Sequence, residues 1–155
     1  DGDLEIFAVA TSTSDPNSDS NLVLINYGTG QFSQTGQRLT PHRSVDAASG
    51  DVDGDGDTDV VVVDGSSTVQ ILLNDGAGNF LSVDAQASSS VDSVEIADLD
   101  AEGNNEIVFG SRNGATVTVR NFVDSVNLSD IASVSVPGGP FGVAVGDLNG
   151  RGGVL

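Results

Sequence analysis

Short apolar runs alternate along the chain with glycine-rich and acidic punctuation. Residues 44–50, 91–97 and 141–146 are small or β-branched, and each runs into a loop of alternating acidic or amide side chains. Residues 59–63 (DVVVV) and 105–110 leave the first two of those loops as compact apolar stretches. Residues 68–73 (TVQILL) and 115–120 (ATVTVR) alternate or nearly so, the period of a half-buried strand. Residues 4–10 and 22–26 are their counterparts near the start, and a weaker fourth strand per unit falls near 33–39, 81–86 and 131–136. Asp64-Gly65, Asn74 to Gly78 and Asn113-Gly114 separate these runs, as hairpins that need positive φ require. No window holds a helical period over three turns, and residues 11–20 (TSTSDPNSDS) read as a polar loop.

The pattern repeats. Asp51 to Val63 reads DVDGDGDTDVVVV, Asp98 to Phe109 reads DLDAEGNNEIVF, and Asp147 to Leu155 reads DLNGRGGVL. Their starts are 98 − 51 = 47 and 147 − 98 = 49 residues apart. The opening DGDLEIFAV matches the second half of the same unit, with Asp1 in the place of Asp55. A second marker keeps the same phase: LINYGTGQF (Leu24 to Phe32) matches LLNDGAGNF (Leu72 to Phe80), with a decayed copy at VTVRNF (Val117 to Phe122). Four short strands repeated about every 50 residues describe the blade of a β-propeller. The expectation is an all-β chain of about three four-stranded blades, at roughly 1–43, 44–90 and 91–140, with 141–155 starting another. Propellers close with about 4–8 blades, so three imply an incomplete ring or a share in an oligomer. A chain that starts at Asp1, with no initiator Met or signal peptide, reads as an excised piece.

Charge narrows the partners. Of 155 residues, Asp+Glu number 23 and Lys+Arg 5, a net −18, and every cation is Arg. Such a surface repels phosphate backbones and anionic membranes, so no nucleic-acid partner is expected. No apolar run approaches the length of a bilayer span, so no membrane insertion is expected. The absence of Cys excludes disulfides and thiolate chemistry.

The acidic loop itself suggests a cation. Asp51, Asp53, Asp55, Asp57 and Asp59 put five carboxylates in nine residues, and a compact loop of such mutual repulsion needs a counter-ion. All-oxygen donors are hard, which favours Ca²⁺ over zinc or copper. Ca²⁺ takes about 6–8 oxygens, whereas Mg²⁺ demands stricter geometry. Gly54 and Gly56 permit the tight turn. An EF-hand would need Glu at loop position 12, but Val62 and Phe109 stand there and strands, not helices, flank the loops.

D-x-D-x-D-G-x-x-D running into a strand resembles the Ca²⁺ loop of FG-GAP and VCBS repeats, found in integrin α-chain propellers and many bacterial surface proteins. LLNDGAGNF resembles the VCBS-type second marker. The resemblance covers nearly the whole chain and is most specific over 51–80. It implies that positions 1, 3, 5 and 9 bind through side chains and position 7 through its carbonyl. The ligands would then be Asp51, Asp53, Asp55 and Asp59 with the Asp57 carbonyl, and Asp98, Asp100, Glu102 and Glu106 with the Asn104 carbonyl. Glu at positions 5 and 9 departs from the usual Asp, and its longer side chain is expected to shift the ion and weaken or empty that site. In the third loop Asp147 and Asn149 match, but Arg151 replaces a ligand. Asp147 to Gly150 joined to Asp1, Asp3 and Glu5 would spell one motif. Either a longer array is cut twice in one phase, or two copies meet head to tail and share this partial site, six blades closing a ring.

Other residues carry bland readings. His42 follows Pro41 in a polar loop and reads as solvated; Tyr27 reads as an exposed hairpin tip, able at most to stack on a sugar. Phe32, Phe80 and Phe122 are expected between blades, and Phe109 and Phe141 in the core. Asn127-Leu128-Ser129 is a sequon of the kind that arises by chance. No Lys, no Cys and no nucleophile elbow make catalysis unsupported, so no enzyme is expected. The expected role is a Ca²⁺-binding propeller segment, extracellular or at the cell surface, adhering to or binding a protein or carbohydrate ligand. The alternatives are the propeller part of a carbohydrate-active enzyme such as a polysaccharide lyase, and a homo-oligomeric structural subunit assembling head to tail.

Overall fold

The computed structural model of the chain describes residues 4–10, 21–35, 37, 39, 43–124 and 127–150. Among these residues there is no helix, and the strands form three antiparallel sheets, each a meander of consecutive strands. The chain divides into two compact units, Asp1–Val45 and Asp46–Leu155.

The first unit holds β1 (Ile6–Ala8), β2 (Leu22–Asn26) and β3 (Phe32–Gln34), in that order. Buried Asn21 ties its edges: its side-chain oxygen accepts the Ala10 N–H at 3.0 Å and its amide donates to Ser44 Oγ at 2.8 Å. The β2–β3 turn places Gly28 and Gly30 at φ 70 and 74, with the Tyr27 N–H donating to the Gln31 carbonyl.

The second unit stacks two four-stranded sheets. One consists of β4 (Asp46–Gly50), β5 (Asp59–Val63), β6 (Thr68–Asn74) and β7 (Phe80–Gln86). The other consists of β8 (Ser93–Ala97), β9 (Glu106–Ser111), β10 (Thr116–Asp124) and β11 (Asn127–Ser135). The β6–β7 turn repeats the β2–β3 one, with Gly76 and Gly78 at φ 74 and 80 and the Asp75 N–H donating to the Asn79 carbonyl. The matching LINYGTGQF and LLNDGAGNF segments are therefore one hairpin used twice.

β5 and β9 are buried along their whole length, which is why they read as continuous apolar runs rather than alternating ones. Val61, Val63, Val69, Ile71 and Ala85 meet Val91, Val94, Ile107 and Phe109 in one core between the sheets. Each valine, isoleucine or phenylalanine among them contributes about 1.5–3 kcal/mol on burial. The first strands, β4 and β8, approach closely, and β4 needs a small residue where Ile96 of β8 packs on it: a Cβ on Gly50 would stand 2.5 Å from Ile96 Cγ2. Buried Arg120 on β10 locks the sheets from the other side. Its guanidinium donates to the Gln86 carbonyl at 3.1 Å and to Ser88 Oγ, and pairs with Asp130 on β11.

The outward face of the second sheet repeats the inward-facing register of the first. Val61, Ile71, Val69 and Ala85 line up by strand pairing as Val108, Val119, Val117 and Val134 do.

Three expectations change. Residues 141–146, read as a strand from their composition, form none. That segment instead lies on β9, with Val143 and Pro140 beside Gly110. Phe122 is not the counterpart of Phe32 and Phe80, which open β3 and β7. It sits late in β10, opposite Leu128, and packs on the core, while Phe32 is exposed. Phe141 is 76% exposed rather than core, its ring 4.2 Å beneath the Arg112 guanidinium. Phe109 is fully buried, as expected.

Gly50→Ala should force β4 and β8 apart. A loss of about 1–3 kcal/mol, the usual range for overpacking, should appear as a lower Tm in calorimetry. An unchanged melt would mean the sheets are not held at this separation.

Candidate metal centre

Both acidic loops span a paired strand end. Gly50 pairs with Asp59 across β4–β5, and Ala97 pairs with Glu106 across β8–β9. Position 9 is thus the first residue of the outgoing strand, and its carboxylate turns back into the loop. Asp59 and Glu106 are buried while most of their loop neighbours are exposed. A buried carboxylate needs donors. Asp59 takes the Val52 N–H at 3.0 Å and the Asn74 N–H at 2.8 Å, and Glu106 takes the Leu99 N–H at 2.7 Å.

Several other loop amides also point at carboxylates. Gly54 and Gly56 donate to the two oxygens of Asp51 at 2.8 and 3.0 Å, Asp55 to Asp53 and Asp57 to Asp55. In the second loop Gly103 donates to Asp98 and Glu102 to Asp100, at the equivalent positions. Gly54 and Gly56 have φ 81 and 94. The residue equivalent to Gly54 is Ala101, held at φ 60, a left-handed conformation that costs a residue with a Cβ about 1–2 kcal/mol.

Asp51, Asp53 and Asp59 bring carboxylate oxygens within 4.8 Å of one another, and so do Asp98, Asp100 and Glu106. Each trio can hold a metal ion, and an all-carboxylate set suits a hard cation. Glu106, though longer than Asp59, reaches the amide one residue beyond position 1 just as Asp59 does. Position 5 stays outside both trios, and the Asp55 carboxylate accepts the Asp57 N–H. Asp57 turns its carboxylate towards Gly76 in the β6–β7 hairpin, where a Cβ would stand 2.6 Å from Asp57 Oδ2. Asn104 is exposed, its side-chain oxygen 3.2 Å from where a Gly54 Cβ would be.

In the third stretch the described residues repeat the turn: Gly150 N–H donates to Asp147 Oδ1 at 2.8 Å, as Gly54 does to Asp51, and Asn149 is exposed beside it. Glu5 is exposed ahead of β1, in the other unit. Asp1, Asp3, Arg151 and His42 lie outside the described residues.

The sequence reading missed Asn74. Its N–H holds Asp59 and its side-chain amide donates to the Thr58 carbonyl at 3.1 Å, so the hairpin marker braces the loop. The fixed order of the two markers along the chain was the signal for this.

Electrostatics follow the crowding. Burial raises the Asp59 pKa above 3.8, opposed by the Asn74 and Val52 amides and reinforced by the charges of Asp53 and Asp55. Burial likewise raises that of Asp53, with the charges of Asp55 and Asp51 adding to it. At the hairpin, Asp75 is lowered, chiefly by the Asn79 side-chain amide.

Two outcomes follow. Metal-stripped protein binds protons at Asp53 and Asp59 more tightly folded than unfolded. It should therefore melt higher as pH falls from neutral towards about 4, a gain lost again as pH rises through the raised folded values. Asp75 works the other way, its contribution lost only as pH falls through its depressed folded value, below that window. A melt that falls on mild acidification would contradict this. Ala101→Gly should relieve the left-handed alanine and stabilise the metal-free protein by about 1 kcal/mol, read as a raised denaturation midpoint.

The FG-GAP-like repeat family matches residues 1–62 and again residues 51–109. The overlap contains the first acidic loop and most of β5, and the second match ends within β9. No curated protein matches the chain. With the family's repeat covering well over half of its length, the chain belongs to the FG-GAP-like repeat proteins, whose repeats form β-propeller blades.

Proposed function

We propose that the chain is a calcium-binding propeller segment in which Ca²⁺ ions held at residues 51–59 and 98–106 fix the strand-to-strand loops. The observation that carries this reading is the same trio in both loops: two exposed carboxylates or one half-buried and one exposed, converging on a buried position-9 carboxylate. Asp51, Asp53 and Asp59 would hold one ion with help from Asp55 and the Asp57 carbonyl. Asp98, Asp100 and Glu106 would hold the other with help from Glu102 and the Asn104 carbonyl. Bound there, Ca²⁺ supplies charge neutralisation and a rigid turn.

FG-GAP repeats are typical of extracellular or surface proteins, and among the described residues no helix is long and apolar enough to cross a membrane. Millimolar extracellular Ca²⁺ would fill even weak loops of this kind. In that setting the segment displays or binds a protein or carbohydrate ligand rather than catalysing a reaction. Its converging carboxylates are already engaged by the loops' own amides.

Calorimetry with and without Ca²⁺ tests the reading. At a free concentration about 100 times Kd, each site adds about 2.7 kcal/mol. Chelation should therefore lower Tm by roughly 10 °C or more for a unit of this size. Asp53→Asn and Asp100→Asn, both exposed and both still able to accept the loop amide, should remove the Ca²⁺-dependent rise in steps. In Ca²⁺ the acid response reverses, because protons then compete with the ion. Identical melts in Ca²⁺ and chelator would overturn the assignment.

A further inference from the structure

The two acidic loops touch through one side chain. Asn105, at position 8 of the second loop, donates its side-chain amide to the backbone carbonyl of Asp51 at 2.8 Å in a half-buried setting. Asp51 is position 1 of the first loop, and the two residues are 54 apart in sequence. Around this bond the backbones are close-packed: Ile96 and the Asn105 amide line Gly50, and the Asn104 side-chain oxygen faces Gly54. The equivalent residue of the first loop, Thr58, is exposed and offers only its carbonyl, to Asn74.

We infer that Asn105 is a positioning residue that couples the two sites, so that filling the loop at 98–106 raises the affinity of the loop at 51–59, and the reverse. This rests on the calcium reading above. Asn105 lies between Asn104 and Glu106, so ordering of those neighbours orders its side chain. That side chain holds the carbonyl of the residue whose carboxylate opens the first site. Backbone fixed at Asp51 is backbone the first ion need not order, and by linkage the benefit is reciprocal.

Charge alone would act the other way, since a cation in one loop weakens the field at its neighbour. That opposition is limited. The loops carry five and four carboxylates, so each keeps net negative charge after a divalent ion binds: −5 + 2 = −3 and −4 + 2 = −2. At physiological salt the exposed part of the field is screened within about 8 Å.

The test is Ca²⁺ titration calorimetry at physiological ionic strength on the wild type, Asn105→Ala, Asp100→Asn and the double variant. The wild type should show two coupled sites. Asp100→Asn, which disables the second loop, should weaken binding at the first by roughly fivefold or more, the low end of usual coupling energies. Asn105→Ala should weaken the first site by a similar factor. In the double variant the first site should be no weaker than in Asp100→Asn alone, because the bridge then has no ordered loop to report.

A residue that merely braced the first loop would cost the same factor in both backgrounds, and that result would overturn coupling. So would two independent sites of unchanged affinity in Asn105→Ala. Asn105→Ser, smaller than Asn but still polar, serves if the alanine variant melts early without metal. No Ca²⁺ heat in the wild type would defeat the calcium reading itself and the coupling with it. Two sites with no loss in Asn105→Ala would defeat the coupling alone.

Discussion

Mutual repulsion among carboxylates crowded into two nine-residue loops is the constraint on which the second unit depends. Water would disperse those charges in an unfolded chain. Folding instead closes each loop between a cross-strand pair and buries the position-9 carboxylate at the start of the outgoing strand. The loop's amides turn inward to meet the charges, which satisfies hydrogen bonding but leaves Asp59 and Asp53 harder to ionise than free carboxyls. A cation held there would resolve what amides cannot, because an amide brings only a partial charge to each oxygen.

The sheets set where those loops fall. β5 and β9 are buried on both faces, so their register is fixed by core contacts that a one-residue slip would destroy. With register fixed, Gly50 and Asp59, or Ala97 and Glu106, face each other, and the loop between them has a set length. Small residues in β4 let Ile96 of β8 pack against Gly50, close enough for Asn105 to reach the neighbouring loop. The same closeness leaves room at Gly50 for nothing larger than hydrogen.

Much of this was legible in the sequence because it depends on residue type at fixed spacing. The valine run at 60–63, the paired glycines of the hairpin and the acidic periodicity each reflect one local requirement: burial on both faces, positive φ, or oxygen donors. What the sequence hid depends on approach between distant segments. Nothing local marks Asn105 as a bridge, Asn74 as a brace for Asp59, or Arg120 as a buried clamp on Gln86 and Ser88. The string RNF looked like a decayed hairpin, yet β10 runs straight through it, because strand continuation needs no glycine and the bulges near Phe122 absorb the irregularity. Residues 141–146 carry strand composition, yet they lie against β9 at Gly110 without forming a strand. Glu106, one methylene longer than Asp59, makes the equivalent bond to the position-2 amide.

The outward face of the second sheet carries valines in the register with which the first sheet packs inward. A sheet that offers its neighbour the face it needs itself behaves as a link rather than a block. Cohesion in such a stack resides in the joints, so it grows with each sheet added and yields one joint at a time. Within the second unit, Arg120 and Asn105 act as pins across its one seam.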